Sequence, residues 1–147
     1  MRLSRWNRSH SCIHLHGSFA ALLHINGETM NARTLESLAH RKAAPQHSNA
    51  AFTQAQIDAH LALLPGWQFA DGKIVKTFKF KNYYETMAFV NVVAAIAHQT
   101  DHHPDLSVHY NRLEIAFNTH DVEQGKGGIS LNDFICAARI EAATLLV

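Results

Sequence analysis

Apolar and polar positions recur with two different periods along residues 52–147, and the switches between them outline a fold. In "AFTQAQIDAHLALLPGW", Ile57, Leu61 and Leu64 stand at i, i+4 and i+7, one face of a helix. Thr53 with Gln56 three residues later makes a capping box, in which hydroxyl and carboxamide satisfy N–H groups that a helix start leaves unpaired. Phe52 and Ile57 are placed to form the accompanying hydrophobic staple, and Pro65-Gly66 ends the pattern. The next run, "WQFADGKIVKTFKF", changes to a period of two, with Ile74, Phe78 and Phe80 on one side and Val75, Thr77 and Lys79 on the other. Asp71-Gly72 between its two halves readily supplies the positive φ angles of a two-residue hairpin turn.

Helical spacing returns after Asn82 and Glu85, a second start signal, with Phe89, Val92, Val93 and Ile96 on one face. This helix runs into "QTDHHPDLSVHY". Beyond Pro104, "DLSVHY" and "LEIAFNTH" alternate as strands, with Leu106, Val108 and Tyr110 on one parity, Leu113, Ile115 and Phe117 in register, and a tight turn at Asn111-Arg112. "DVEQGKGG" reads as a polar, glycine-rich loop, and Ser130 with Asp133 opens a last helix whose Leu131, Phe134, Ala138, Ala142 and Leu145 form a stripe. The order α-β-β-α-β-β-α predicts an α+β fold, a four-stranded antiparallel sheet with helices packed on one face. Val75, Thr77, Glu114, Ala116 and Asn118 would lie on the uncovered face, either solvated or in an oligomer contact.

Composition supports a folded domain: 47% hydrophobic and 17% charged residues, with three prolines and seven glycines among 147. Net charge is +1, so no bulk polycation points to nucleic acid. The charge is unevenly spread. Six basic residues against two acidic give the first 50 residues +4, leaving −3 for the remainder. The domain boundary is therefore placed after Ala50, with 1–50 an extension and 51–147 the folded domain. We read the extension as unstructured; a weak targeting segment, or residues upstream of a start at Met30, are the alternatives. No apolar run approaches the roughly 18–20 residues that span a bilayer. Cys12 and Cys136 are too few for a disulfide framework, which favours a reducing, cytoplasmic location, with organelle targeting by residues 1–50 as the alternative.

The histidines between Gln99 and His120 are the chemical feature of the chain. Parity separates His120 from Leu113, Ile115 and Phe117, while His102 and His103 lie where a helix gives way to a strand, so hairpin pairing can bring all three imidazoles to one pocket. Spacing alone leaves three readings open. His98 and His102 at i, i+4, with Asp101 or His120, have a metal-ligand look, but Gln99 stands where a zinc-protease helix has its Glu. Imidazoles with an ordinary pKa of about 6.5 also suit acid–base work near neutral pH. Polar residues at element ends are the third reading. Nucleophilic catalysis is disfavoured: no G-x-S-x-G turn occurs, and only Cys12 has histidines nearby.

The segments "LLPGW", "DGKIVKTFKFKNYYETMAFVNVVA", "DHHPDLSVHYNRLEIAFNTHD" and "GGISLNDFICAARI" resemble the pterin-4a-carbinolamine dehydratases over about Phe52 to Leu146. The resemblance implies a metal-free, cofactor-independent hydro-lyase that dehydrates 4a-hydroxytetrahydropterin to quinonoid dihydropterin and so regenerates the cofactor of aromatic amino acid hydroxylases. His102 and His120 match the proton-transfer positions, His103 a catalytic and substrate-positioning one. Asp101, Asn118, Thr119 and Asp133 are candidate substrate-binding residues, with Asp133 equally explained by its capping box. The resemblance also implies a homodimer or homotetramer, no direct contact with nucleic acid or membrane, and, as the alternative function, a non-catalytic dimerisation cofactor for a transcription factor. Three departures bear on substrate preference: His98 replaces a common acid, Leu106 an aromatic residue, and the loop 121–127 is a few residues longer.

Overall fold

In the computed structural model, residues 34–47 and 49–144 are described, and all of them belong to one compact unit. Cys12, His14, Met30 and Leu145 lie outside the described residues. The elements are α1 (Leu35–His40), α2 (Gln54–Leu61), β1 (Gln68–Ala70), β2 (Lys73–Lys79), α3 (Tyr83–Thr100), β3 (Asp105–Val108), β4 (Arg112–Phe117) and α4 (Leu131–Thr144). From α2 onward this is the expected order. The strands form one antiparallel sheet in the order β1-β2-β4-β3.

The start signals act as read. Thr53 and Gln56 form a reciprocal capping box on α2, and Asn82 Oδ1 accepts from the Glu85 N–H on α3. Asp71 and Gly72 have φ of 50° and 77°, the left-handed pair that a tight β1–β2 turn requires. The β3–β4 turn centres on Tyr110-Asn111, one residue earlier than expected, because His109 N–H already bonds Arg112 C=O at 2.9 Å. Phe52 packs on the rings of His60 and Phe134.

Sheet parity also holds. Ile74, Phe78, Leu113, Ile115 and Phe117 are buried on one face, while Thr77 and Glu114 are exposed on the other. Lys76 pairs in register with Ile115 and so points to the core side, where its ammonium bonds Glu141 at 2.5 Å and the Pro65 carbonyl at 2.6 Å. Trp67 Nε1–H completes that group by donating to the same Glu141 oxygen at 2.7 Å. Leu106 and Val108 face the core side too, yet stay 37% and 42% exposed because β3 is an edge strand.

Two expectations are corrected. Residues 34–47 are not a tail: Thr34 caps α1, Leu38 is 1% exposed within the core, and α1 packs on α4. The single apolar stripe expected on α4 is too narrow for the same reason. Ile135, Cys136, Ala137 and Ile140 are buried along with Phe134 and Ala138, so the helix is enclosed nearly all round.

Candidate active site

Helix α3 ends by a left-handed reversal. Asp101 adopts φ 49°, ψ 41°, a conformation Asp tolerates better than most side chains, and both its N–H and that of His102 bond back to the Ala97 carbonyl. The reversal turns His102 inward, where it is 8% exposed and its ring lies parallel to Phe117, centroids 5.7 Å apart.

His102 meets Asp133 in the first turn of α4. Nε2–H donates to Asp133 Oδ1 at 2.6 Å. The other oxygen, Oδ2, accepts from the Ser130 N–H at 2.7 Å and from the Thr119 hydroxyl at 2.9 Å. Ser130 Oγ in turn lies 2.6 Å from Thr119 Oγ1 and accepts from the Asn132 N–H at 3.2 Å. Asp133 is fully buried, so these bonds replace the water a carboxylate would otherwise hold. A carboxylate only accepts, so Nε2 carries the hydrogen of this bond, and Nδ1 is the nitrogen left to hold the lone pair whenever the ring is neutral. Thr119 is fixed for this task by a two-way backbone bridge to Gly128, with N···O distances of 2.8 and 3.0 Å.

A cavity of about 520 Å³ opens beside this group. His102, His103 and His120 all line it, together with Asp101, Asn118 and Thr119. Residues of the two histidine segments thus line one cavity, the juxtaposition that hairpin pairing made possible. His103 and His120 are exposed and make no hydrogen bond to protein among the described residues. His120 and Asn118 also line a second cavity of about 370 Å³, walled by Asp71, Lys73 and the 125–128 loop. Beside His120, the Lys73 ammonium bonds Asp105 at 2.5 Å and holds its carboxyl below the usual carboxylate value, with a smaller pull from His120 itself.

Several expected residues take different roles. Asp133 does not line the cavity, so it reaches a bound molecule only through His102; its capping and positioning roles coincide. Thr119 spends its hydroxyl and both backbone groups within the protein, which makes it a support for Asp133. Asp101 is the left-handed residue at the end of α3 as well as a lining residue. The metal-like pair His98 and His102 does not share a helix face, because the helix stops at Thr100, and His98 is not among the lining residues. Sequence reasoning missed Asn132 and the chain 43–46, which complete the wall. The spacing of Thr34 and Ser37 before Leu38 was the one available signal for that segment; the two form a reciprocal capping box with Ser in place of the usual Glu or Gln.

Residues 50–143 match the family described as pterin 4 alpha carbinolamine dehydratase. A protein of Bdellovibrio bacteriovorus that carries this as a provisional name is 54% identical over 92 residues, 63% of this chain and 77% of its own length. A second, from Chromobacterium violaceum and with the same provisional name, is 51% identical over 98 residues, 67% of this chain and 87% of its own. Among solved structures, a transcriptional coactivator/pterin dehydratase from Brucella melitensis superposes with a TM-score of 0.57 at 31% identity, covering 63% of this chain and 96% of that one. With the match spanning the sheet, both histidine segments and all but the last residue of α4, the chain belongs to the pterin 4 alpha carbinolamine dehydratase family.

Proposed function

We propose that the cavity dehydrates 4a-hydroxytetrahydropterin to quinonoid dihydropterin by proton transfer between histidines. The observation that carries this reading is the His102–Asp133 bond at the wall of a cavity shared with His103 and His120. In the reaction the C4a–O bond breaks, the hydroxyl leaves as water with one added proton, the N5 proton is lost, and C4a=N5 forms. No electrons are exchanged with a partner. The chemistry needs one base and one acid on the same small molecule. His102, its Nε2–H held by Asp133, acts as the base through Nδ1. His120, exposed to solvent for proton exchange and near the Asp105 carboxylate, acts as the acid, and His103 positions the substrate. A cavity of about 520 Å³ is within the range of small-molecule sites, roughly 300–1,000 Å³.

A hydroxylase that oxygenates an aromatic amino acid at the expense of tetrahydropterin is the class of reaction that supplies this substrate. The exposed Leu106 and Val108 on the edge strand support a homodimer or homotetramer, which sedimentation tests. Among the described residues no helix is long and apolar enough to cross a membrane. A binding role beside catalysis is supported by the name of the Brucella relative, and a His102→Ala variant that still captured a helical partner would bear it out.

The test of the main reading is water loss from freshly prepared 4a-hydroxytetrahydropterin. The protein should accelerate it, and His102→Ala and His120→Ala should each lower turnover by about 100-fold. Equal rates with and without protein contradict the reading.

A further inference from the structure

Residues 43–46 lie outside the family match, yet Ala43, Ala44, Pro45 and Gln46 form one wall of the cavity that holds the histidines. Their backbone is pinned by side chains from α4. Asn132, 7% exposed, uses its carboxamide as a strand partner: Oδ1 accepts from the Ala44 N–H at 3.2 Å and Nδ2–H donates to the Ala44 carbonyl at 2.8 Å. Gln46 braces the same point, with Nε2–H bonding the Ala44 carbonyl at 2.9 Å. Further back, Arg139 Nε–H and Nη2–H donate to the carbonyls of Ala39 and Arg41 at 3.0 and 2.9 Å. On the far side, the Asn49 carbonyl and the Ala51 N–H bond Glu123 at 2.9 and 3.0 Å.

The two adjacent residues Asn132 and Asp133 thus do paired work. One fixes the wall and the other fixes His102, so the gap between the wall and the imidazole is set within a single helical turn of α4. The wall carries two methyl groups and a pyrrolidine ring from Ala43, Ala44 and Pro45. Small apolar groups of this kind suit the flat face of a bicyclic ring, and the Gln46 carboxamide beside them is tied back to the Ala44 carbonyl.

We propose that residues 43–46 are a specificity-determining wall for the pterin ring, and that Asn132 is the positioning residue that holds it. The proposal rests on the dehydratase reading above, and the experiment separates the two. Steady-state dehydration is measured for the full chain, for Asn132→Ala, which releases the wall, and for Ala44→Leu, an exposed position where added bulk narrows the cavity without touching the core. Hydrogen exchange at 43–47 is followed in parallel, with 7,8-dihydropterin as the probe.

Both variants should raise KM roughly five- to tenfold while kcat falls less than about threefold, and the probe should slow exchange at 43–47 in the unaltered chain. Asn132→Ala should also quicken exchange there without ligand. Active protein whose KM stays within about twofold in both variants overturns the wall and leaves the dehydratase reading intact. No turnover, but protection of 43–47 by the probe, overturns the reaction and keeps the wall. Neither turnover nor protection overturns both.

Discussion

Asp133 sits where solvent does not reach and accepts hydrogen bonds from His102, Thr119 and Ser130 on its two oxygens. An amide in its place has one oxygen, so Asp133→Asn leaves a donor facing a donor unless His102 moves its proton from Nε2 to Nδ1. Turnover should fall by about 100-fold or more through loss of the His102 tautomer, and urea unfolding should show a loss of about 1–3 kcal/mol from the unsatisfied groups. A drop in stability with full activity would deny Asp133 its positioning role. Cys136 gives a pH prediction at the same scale. Burial pushes its thiol from the ordinary 9.0 up to about 11, with Thr100 as its hydrogen-bond partner. The unfolded chain ionises this group above about pH 9 while the native chain keeps the proton, so stability should fall as pH rises from about 9 to about 11. Cys136→Ser should flatten that decline in a series of thermal melts.

Among the elements, the bridge between Thr119 and Gly128 joins the end of the sheet to the approach of α4 and so carries Thr119 to Asp133. Gly128 has φ 159°, and a Cβ there would come within 2.6 Å of the Ala51 Cβ. Gly128→Ala should therefore cost about 1–3 kcal/mol by crowding, and lower activity beyond what the unfolded fraction explains, read from melts and turnover at one temperature. Strands and helix starts were legible in the sequence because they are local: alternation at Leu113, Ile115 and Phe117, caps at Thr53 and Asn82, and the Asp71-Gly72 turn all stand as read. Lys76 shares the parity of Ile74 and Phe78 and stands on the core face, where Glu141 and the Pro65 carbonyl hold its ammonium; no short-range pattern names Glu141 as a partner. Helix α1 was missed because it is six residues long and its burial comes from α4, about 100 positions away, as the Arg139 bond to Ala39 illustrates.

For the whole molecule, residues 34–47 are part of the packed unit and reach the histidine cavity. Leu38 tests this at a distance from the site: 1% exposed in the core cluster, it should cost about 2–5 kcal/mol as Leu38→Ala, whereas a residue in a detached tail would cost nothing measurable by urea denaturation. That hairpin pairing could bring His102 and His120 to one cavity was readable in the sequence, and the bond of Asp133 to His102 was not, because it crosses 31 positions between two helix ends. In the proposed reaction, His102 and His120 move protons on one bound molecule. The most direct measurement is the dehydration rate of 4a-hydroxytetrahydropterin with the unaltered chain, His102→Ala, His120→Ala and the double variant. Groups that serve one step give a double variant little slower than the worse single variant, each about 100-fold below the unaltered protein. Single variants that keep full turnover, or losses that multiply as if the two residues acted independently, contradict the account.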